Sequence, residues 1–154
     1  MRVIFWGSPD FAVAPLAALC DSAHEVAGVV CQPDRPVGRG RKLTPSAVKS
    51  FALKKNLKLL QPEKPRGEPF LSELSSLNAD ISVVVAYGHI LRPEVLAVPP
   101  HGSINLHASL LPAYRGAAPI QRAIAACESR TGLTVIRMDK GMDTCPVLAV
   151  RETG

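Results

Sequence analysis

The sequence predicts an open, mostly parallel α/β sheet covered by helices, on three observations. Residues 1–31 run strand, tight turn, helix, strand, which is a βαβ unit whose crossover should be right-handed with its strands parallel. Apolar residues make up 47% of the 154 but aromatic residues only 5%, so the core must rest on Val, Leu, Ile and Ala, as buried parallel strands under helices do. Apolar strand-like runs then keep alternating with helical ones, with no internal repeat and no linker that would mark a second complete domain.

Arg2-Val3-Ile4-Phe5-Trp6 is the first predicted strand, followed by a Gly7-Ser8-Pro9-Asp10 turn, a helix to about Leu19 and a second strand from Glu25 to Cys31. Gln32 to Thr44 is rich in Pro, Gly and Arg without periodicity and reads as a loop. Thr44-Pro45 reads as a helix start, Thr as N-cap and Pro at the first helical position, running to about Lys55. A short strand at 58–60 and a helix over 69–77 precede Ile81 to Ala86, the strongest buried-strand signal in the chain. Strands over 102–107 and 133–138, a helix over 118–127 between them and the start of a strand at Pro146 complete the order.

The charge of +5 is unevenly placed. Between Arg35 and Pro62 stand Arg35, Arg39, Arg41, Lys42, Lys49, Lys54, Lys55 and Lys58 without one acid, a local excess that attracts a polyanion. The lysines at the helix-like end of this stretch fit a solvated face, whereas Arg39, Arg41 and Lys42 sit among glycines in a long loop, where function is commoner. Cys20, Cys31, Cys127 and Cys145 show no close pairing and no zinc spacing, so reduced thiols and no metal are expected. The apolar start meets Ser8-Pro9-Asp10 too soon for a signal peptide or a membrane span, and a soluble cytoplasmic protein is expected, with no membrane partner.

Sheets of this class bind ligands beyond the carboxyl ends of their strands. Three polar clusters are expected there: Gly7 to Asp10, Asn105 to His107, and Asp139 to Asp143. Asn105 and His107 are two apart on a strand and so share one side of the sheet. An amide donor, an imidazole and a carboxylate suit acyl transfer, because a tetrahedral oxyanion needs donors and a moving proton needs a group that titrates near neutrality. With no activated serine or thiol in the set, the chemistry is direct transfer between two amines, Asn105 and His107 facing the oxyanion and Asp143 holding the imidazole.

Asn105-Leu106-His107, followed by Ser109-Leu110-Leu111-Pro112 and by Arg115-Gly116-Ala117-Ala118-Pro119-Ile120-Gln121, resembles the signature of the folate-dependent formyltransferases. Gln32 to Leu43 is similar to the corresponding loop of their methionyl-tRNA branch, and the likeness extends over essentially the whole chain. The resemblance implies a Rossmann-like formyltransferase fold. It also implies transfer of a formyl group from 10-formyltetrahydrofolate to the α-amine of methionyl initiator tRNA, with Asn105, His107 and Asp143 as the catalytic trio. Where the family pattern reads Asp-Thr-Gly, this chain has Asp143-Thr144-Cys145, and a side chain is strained if that position needs positive φ.

By the same resemblance, folate is expected in a cleft between the ends of the strands 81–86 and 133–138. Tyr87, Gly88, His89, Ile90, Leu91, Asp139 and Gly141 would line it. Asp10 would suit a positively charged amine; Arg39, Arg41, Lys42 and Lys49 would meet tRNA phosphates. Ser109, Leu110, Leu111, Pro112 and Arg115 would support the loop over the trio. Family members run to roughly twice this length, and a C-terminally truncated catalytic domain lacking the family's barrel domain is expected, a monomer in which pairing of two copies over an exposed sheet face stays open. The competing readings are a non-catalytic folate- or tRNA-binding fragment and another 10-formyltetrahydrofolate-dependent formyltransferase.

Overall fold

The computed structural model describes residues 1–138 and 146–154. In chain order it contains β1 (Arg2–Gly7), α1 (Val13–Cys20), β2 (Glu25–Val30), β3 (Arg35–Val37), β4 (Lys42–Thr44), α2 (Ala47–Lys54) and β5 (Leu59–Leu60). There follow α3 (Glu68–Ser75), β6 (Ile81–Val85), α4 (Pro93–Leu96), β7 (Ser103–His107), α5 (Pro119–Ala125), β8 (Thr131–Arg137) and β9 (Val147–Thr153). Seven strands form one sheet in the order β5-β2-β1-β6-β7-β8-β9, and β3 pairs with β4 in a separate hairpin.

The strands from β5 to β7 are mutually parallel, as expected, while β8 and β9 are antiparallel to their neighbours. Alternation along β1 supplies both cores. Ile4 and Trp6 join Phe70, Leu74, Tyr87, Val95 and Leu96 on one face, and Phe5 joins Leu16, Val29, Val48, Ala52 and Val85 on the other. Helices α3 and α4 thus cover one face and α1 and α2 the other, leaving the middle strands nearly dry.

Two expectations for residues 32–55 are corrected. Gln32 to Thr44 is not an unstructured loop: Arg35 to Thr44 forms a hairpin with Arg35 opposite Thr44 and Val37 opposite Lys42, turned through Gly38 at φ +76° and Arg41 at φ +44°. All of its strand residues are exposed, so no apolar alternation marked it. The N-cap of α2 is Ser46, whose hydroxyl accepts from the Lys49 amide at 3.1 Å, and Thr44 belongs to β4.

The direction of β8 changes the geometry expected of a third feature, the cleft at the ends of strands 81–86 and 133–138. Arg137 lies opposite Ile104, and the Met138 amide donates to the Ser103 carbonyl at 2.9 Å, so the carboxyl end of β8 meets the amino end of β7. The carboxyl ends of strands 81–86 and 133–138 therefore point in opposite directions, so a cleft that touches both has to run along the face of β7 rather than across two neighbouring strand ends. The connection from β7 to β8 carries only the seven-residue α5 before β8 returns alongside β7.

Candidate active site

Beyond the carboxyl ends of β1, β2 and β6, at the point where the chain leaves β1 to opposite sides of the sheet, lies a cavity of about 420 Å³. Ser8, Pro9, Gln32, Arg35, Ala86 and Tyr87 are among its walls. Gly7 brings the first loop close to β6, because a Cβ there would stand 2.7 Å from the Val85 carbonyl oxygen and 2.8 Å from the Ala12 side chain. Asp10 opens a short 3-10 turn and is exposed, with Ser8 and Pro9 rather than Asp10 facing the cavity.

β7 carries the candidate catalytic side chains. The Ser103 hydroxyl donates to the Leu96 carbonyl, and Leu106 packs with the opposite core, so Ser103, Asn105 and His107 share the face that bears α4. The chain from Tyr87 to Leu96, with one turn of helix, is what crosses that face between β6 and β7. Asn105 is half-buried there, and His107 is buried at 6% exposure.

A polar loop is folded over His107. Its Nε2 is 2.9 Å from the Tyr114 carbonyl oxygen, which can only accept, so that nitrogen carries a proton. Ser109 Oγ donates to the Ala113 carbonyl at 2.6 Å. Thr134, directly opposite His107, donates its hydroxyl to the Ser109 carbonyl at 2.7 Å and accepts from the Leu111 amide at 3.1 Å. Leu110 packs against Gly132, where a Cβ would collide with it, and the Leu111-Pro112 peptide is cis. Arg115 is exposed; its carbonyl accepts from Arg122 Nη1 at 2.8 Å, which ties the loop to α5 rather than to the sheet end. Tyr114 is fastened to the same region by its hydroxyl, donated to Glu128 at 2.7 Å, and by Arg122 over its ring.

The segment after β6 is held at two levels. The Tyr87 ring is buried edge-on against Trp6, and burial pushes its phenol up to about 12, so it stays neutral and takes no part in proton exchange near pH 7. Its carbonyl accepts from Gln32 Nε2 at 3.0 Å. His89 is exposed and donates through Nε2 to Gln32 Oε1 at 2.9 Å, Ile90 is exposed and Leu91 buried. A second cavity, of about 340 Å³, lies at the other sheet edge between α4, Ser103 and Met138. Asp139, Gly141, Asp143 and Cys145 lie outside the described residues.

The basic residues divide. Arg39, Arg41 and Lys42 are exposed on the hairpin. Lys49 is half-buried in an ion pair with Asp34 at 2.7 Å, and Gln61 donates to the same carboxylate at 3.0 Å, so it serves the structure beneath the hairpin rather than the solvent-facing surface expected of it. These hydrogen bonds, with the lysine charge behind them, hold the Asp34 carboxyl below its ordinary value. Burial raises the Cys31 thiol, which keeps it unreactive. Among the described residues no cluster of side chains could hold a metal ion, and no helix is long and apolar enough to cross a membrane. Ser8 and Gln32 lie in the segments 7–10 and 32–43 singled out in the sequence and Thr134 in neither, but the roles of all three in organising this region depend mainly on partners far away in sequence.

The sequence model of the family described as Formyl transferase matches residues 1–154. The chain belongs to this family. Among formyl transferases it is 52% identical to the methionyl-tRNA formyltransferase of Sulfurihydrogenibium sp. over 99% of this chain and 49% of that protein. It is 57% identical to that of Xanthomonas oryzae pv. oryzae over 96% of this chain and 48% of the relative. The chain thus spans about half the length of the curated relatives it matches. Among solved structures, glycinamide ribonucleotide transformylase 1 from Geobacillus kaustophilus superposes with a TM-score of 0.75 at 30% identity, covering 98% of this chain and 81% of that one. Phosphoribosylglycinamide formyltransferase from Bacillus halodurans has a TM-score of 0.78 at 23% identity, covering 99% and 79%, which supports the fold alone. The mixed sheet under helices is therefore the formyl transferase fold.

Proposed function

We propose that this chain carries the formyl-transfer site of a methionyl-tRNA formyltransferase, moving a formyl group from 10-formyltetrahydrofolate to the α-amine of methionyl initiator tRNA. The observation that carries the choice of acceptor is the exposed hairpin bearing Arg39, Arg41 and Lys42 next to the cavity that Arg35 helps to line. A nucleotide-sized acceptor has no use for three cations on a projecting ribbon, whereas the phosphates near a tRNA acceptor end do. The level of identity to the methionyl-tRNA formyltransferases supports the same choice.

In this reading folate lies along the segment from Tyr87 to Leu91, with Gly88 and Ile90 exposed toward it and Asp139 and Gly141 beside it. Its formyl carbon faces Asn105 and His107. The acceptor amine attacks that carbon. Asn105 donates to the oxyanion that forms. His107, oriented through Nε2 by the Tyr114 carbonyl, moves the proton at Nδ1 from the attacking amine to the folate nitrogen as the bond from that nitrogen to the formyl carbon breaks and tetrahydrofolate leaves, with the Asp143 carboxylate stabilising the charged imidazole. No covalent enzyme intermediate is required. Ser109 and Thr134 hold the loop that keeps water from this face.

A single-turnover assay with formylatable Met-tRNA and saturating 10-formyltetrahydrofolate tests the proposal. Asn105→Ala and His107→Ala are expected to lower the transfer rate by a factor equivalent to about 3 kcal/mol each, with much smaller changes in substrate affinity, because both act on charge that appears only in the transition state. Transfer at the unaltered rate in both variants would remove these roles, and absence of transfer to Met-tRNA alongside transfer to a small amine nucleotide would change the acceptor.

A further inference from the structure

We propose, on the basis of the function just assigned, that Gln32 is a positioning residue that couples the two substrate sites: one carboxamide ties the arginine-bearing hairpin to the loop after β6, so filling either site favours filling the other. Gln32 Nε2 donates to the Tyr87 carbonyl at 3.0 Å. Its Oε1 accepts from Arg35 Nη2 at 3.1 Å and from His89 Nε2 at 2.9 Å. A guanidinium only donates and a carbonyl only accepts, so Arg35 on one side and Tyr87 on the other fix which end of the amide points where. Both lone pairs of Oε1 are committed, one to the hairpin and one to the loop.

The anchor of that side chain is equally fixed. The Gln32 amide donates to Ser8 Oγ at 3.0 Å, and its carbonyl accepts from Gln61 Nε2 at 3.1 Å, so the backbone is pinned to the loop after β1 and to the residue that follows β5. The loop it holds is built into left-handed conformations on either side of Tyr87, Ala86 at φ +49° and Gly88 at φ +89°. Such a conformation costs energy at the alanine and persists only where surrounding contacts enforce it. A loop held in this way has a preferred position for the Tyr87 carbonyl, and moving Arg35 or His89 moves the amide that enforces it. A ligand that orders the hairpin through its cations, and another that orders residues 87–91, therefore bias the same three hydrogen bonds.

Binding of fluorescent Met-tRNA is to be titrated in the absence and presence of tetrahydrofolate, which lacks the formyl group and permits no turnover. In the unaltered protein tetrahydrofolate is expected to tighten tRNA binding at least fivefold, and tRNA to tighten tetrahydrofolate binding by the same factor, as linkage requires. In Gln32→Ala the affinity for each ligand alone falls, since Gln32 also lines the cavity, and the factor by which one ligand tightens the other falls to near one. Arg35→Met, which removes one arm of the tie from an exposed position, is the second variant and is expected to lose most of the factor as well. If both ligands bind the unaltered protein with independent affinities, or if both variants keep the full factor, the coupling role of Gln32 is overturned while the proposed function stands. If neither ligand binds the unaltered protein, the proposed function itself fails, and the coupling with it.

Discussion

At the scale of single residues, the site is set by side chains that are small, or that have one acceptable partner. Gly7 is the clearest case, since β1 lies between β2 and β6 and neither neighbour can retreat. Gly7→Ala would push a methyl to 2.7 Å from the Val85 carbonyl oxygen and 3.0 Å from the Phe5 ring, an overpacking expected to cost about 1–3 kcal/mol in urea unfolding. Trp6 depends on a partner instead: its buried indole donates to Ser82 Oγ at 3.1 Å across to β6. Ser82→Ala leaves that N–H in the core without an acceptor, with an expected loss of about 1–3 kcal/mol, whereas a surface serine such as Ser72 changed to alanine should leave stability within about 0.5 kcal/mol. Equal unfolding midpoints for Ser82→Ala and the unaltered protein would contradict the buried hydrogen bond.

Among the elements, the hairpin β3–β4 rests on polar contacts more than on apolar packing. Val37 and Leu43 are among its exposed side chains, so its footing is the Asp34, Lys49 and Gln61 cluster beneath it. Because the folded Asp34 carboxyl is held below its unfolded value near 3.9, the contribution of this cluster is complete above about pH 4 and is lost as pH falls through the lower folded value. The stability difference between the unaltered protein and Lys49→Met should therefore be constant from pH 5 to 7 and shrink below pH 4. A difference that persists unchanged at pH 2 would mean the lysine acts by packing alone. The same elements show what the sequence made legible. Buried strands such as β6 are written as apolar runs, interrupted there by Ser82, and β1, β2 and β6 fall where those runs predict. The hairpin is written in Arg, Pro, Gly and Lys with both faces wet, so period-two patterning had nothing to act on. The direction of β8 is likewise invisible in its own residues, since an antiparallel strand beside a parallel one buries the same Val and Ile; only the pairing with β7 decides it.

For the whole molecule, the division of labour follows from where charge and catalysis sit. Asn105 and His107 were legible because two polar residues at strand spacing stand out in a buried strand, but the roles of Gln32 and Thr134 were not, because Tyr87 and His89 lie 55 and 57 residues from Gln32 and Ser109 lies 25 from Thr134, and only folding brings them together. The charge pattern was legible in total but not in detail, since Lys49 turned inward while Arg39, Arg41 and Lys42 remained outside. This split yields the last prediction. If the hairpin is the part that meets tRNA phosphates, then changing Arg39, Arg41 and Lys42 together to alanine removes up to three phosphate contacts. Each contact contributes roughly 0.7–0.9 to the slope of log affinity against log salt, so the slope should fall by about 2–3 units. The loss should be the same for formylatable and non-formylatable tRNA, because phosphate contacts carry no sequence information. Lys54→Ala, Lys55→Ala and Lys58→Ala together remove as much charge from the far end of α2 and the turn after it, and should leave the slope nearly unchanged. Net charge alone would treat the two triple variants alike, so a filter-binding series at several salt concentrations separates attraction by the whole basic stretch from contact by the hairpin. Equal slopes for the two triple variants would assign the binding to overall charge and remove the hairpin from the interface.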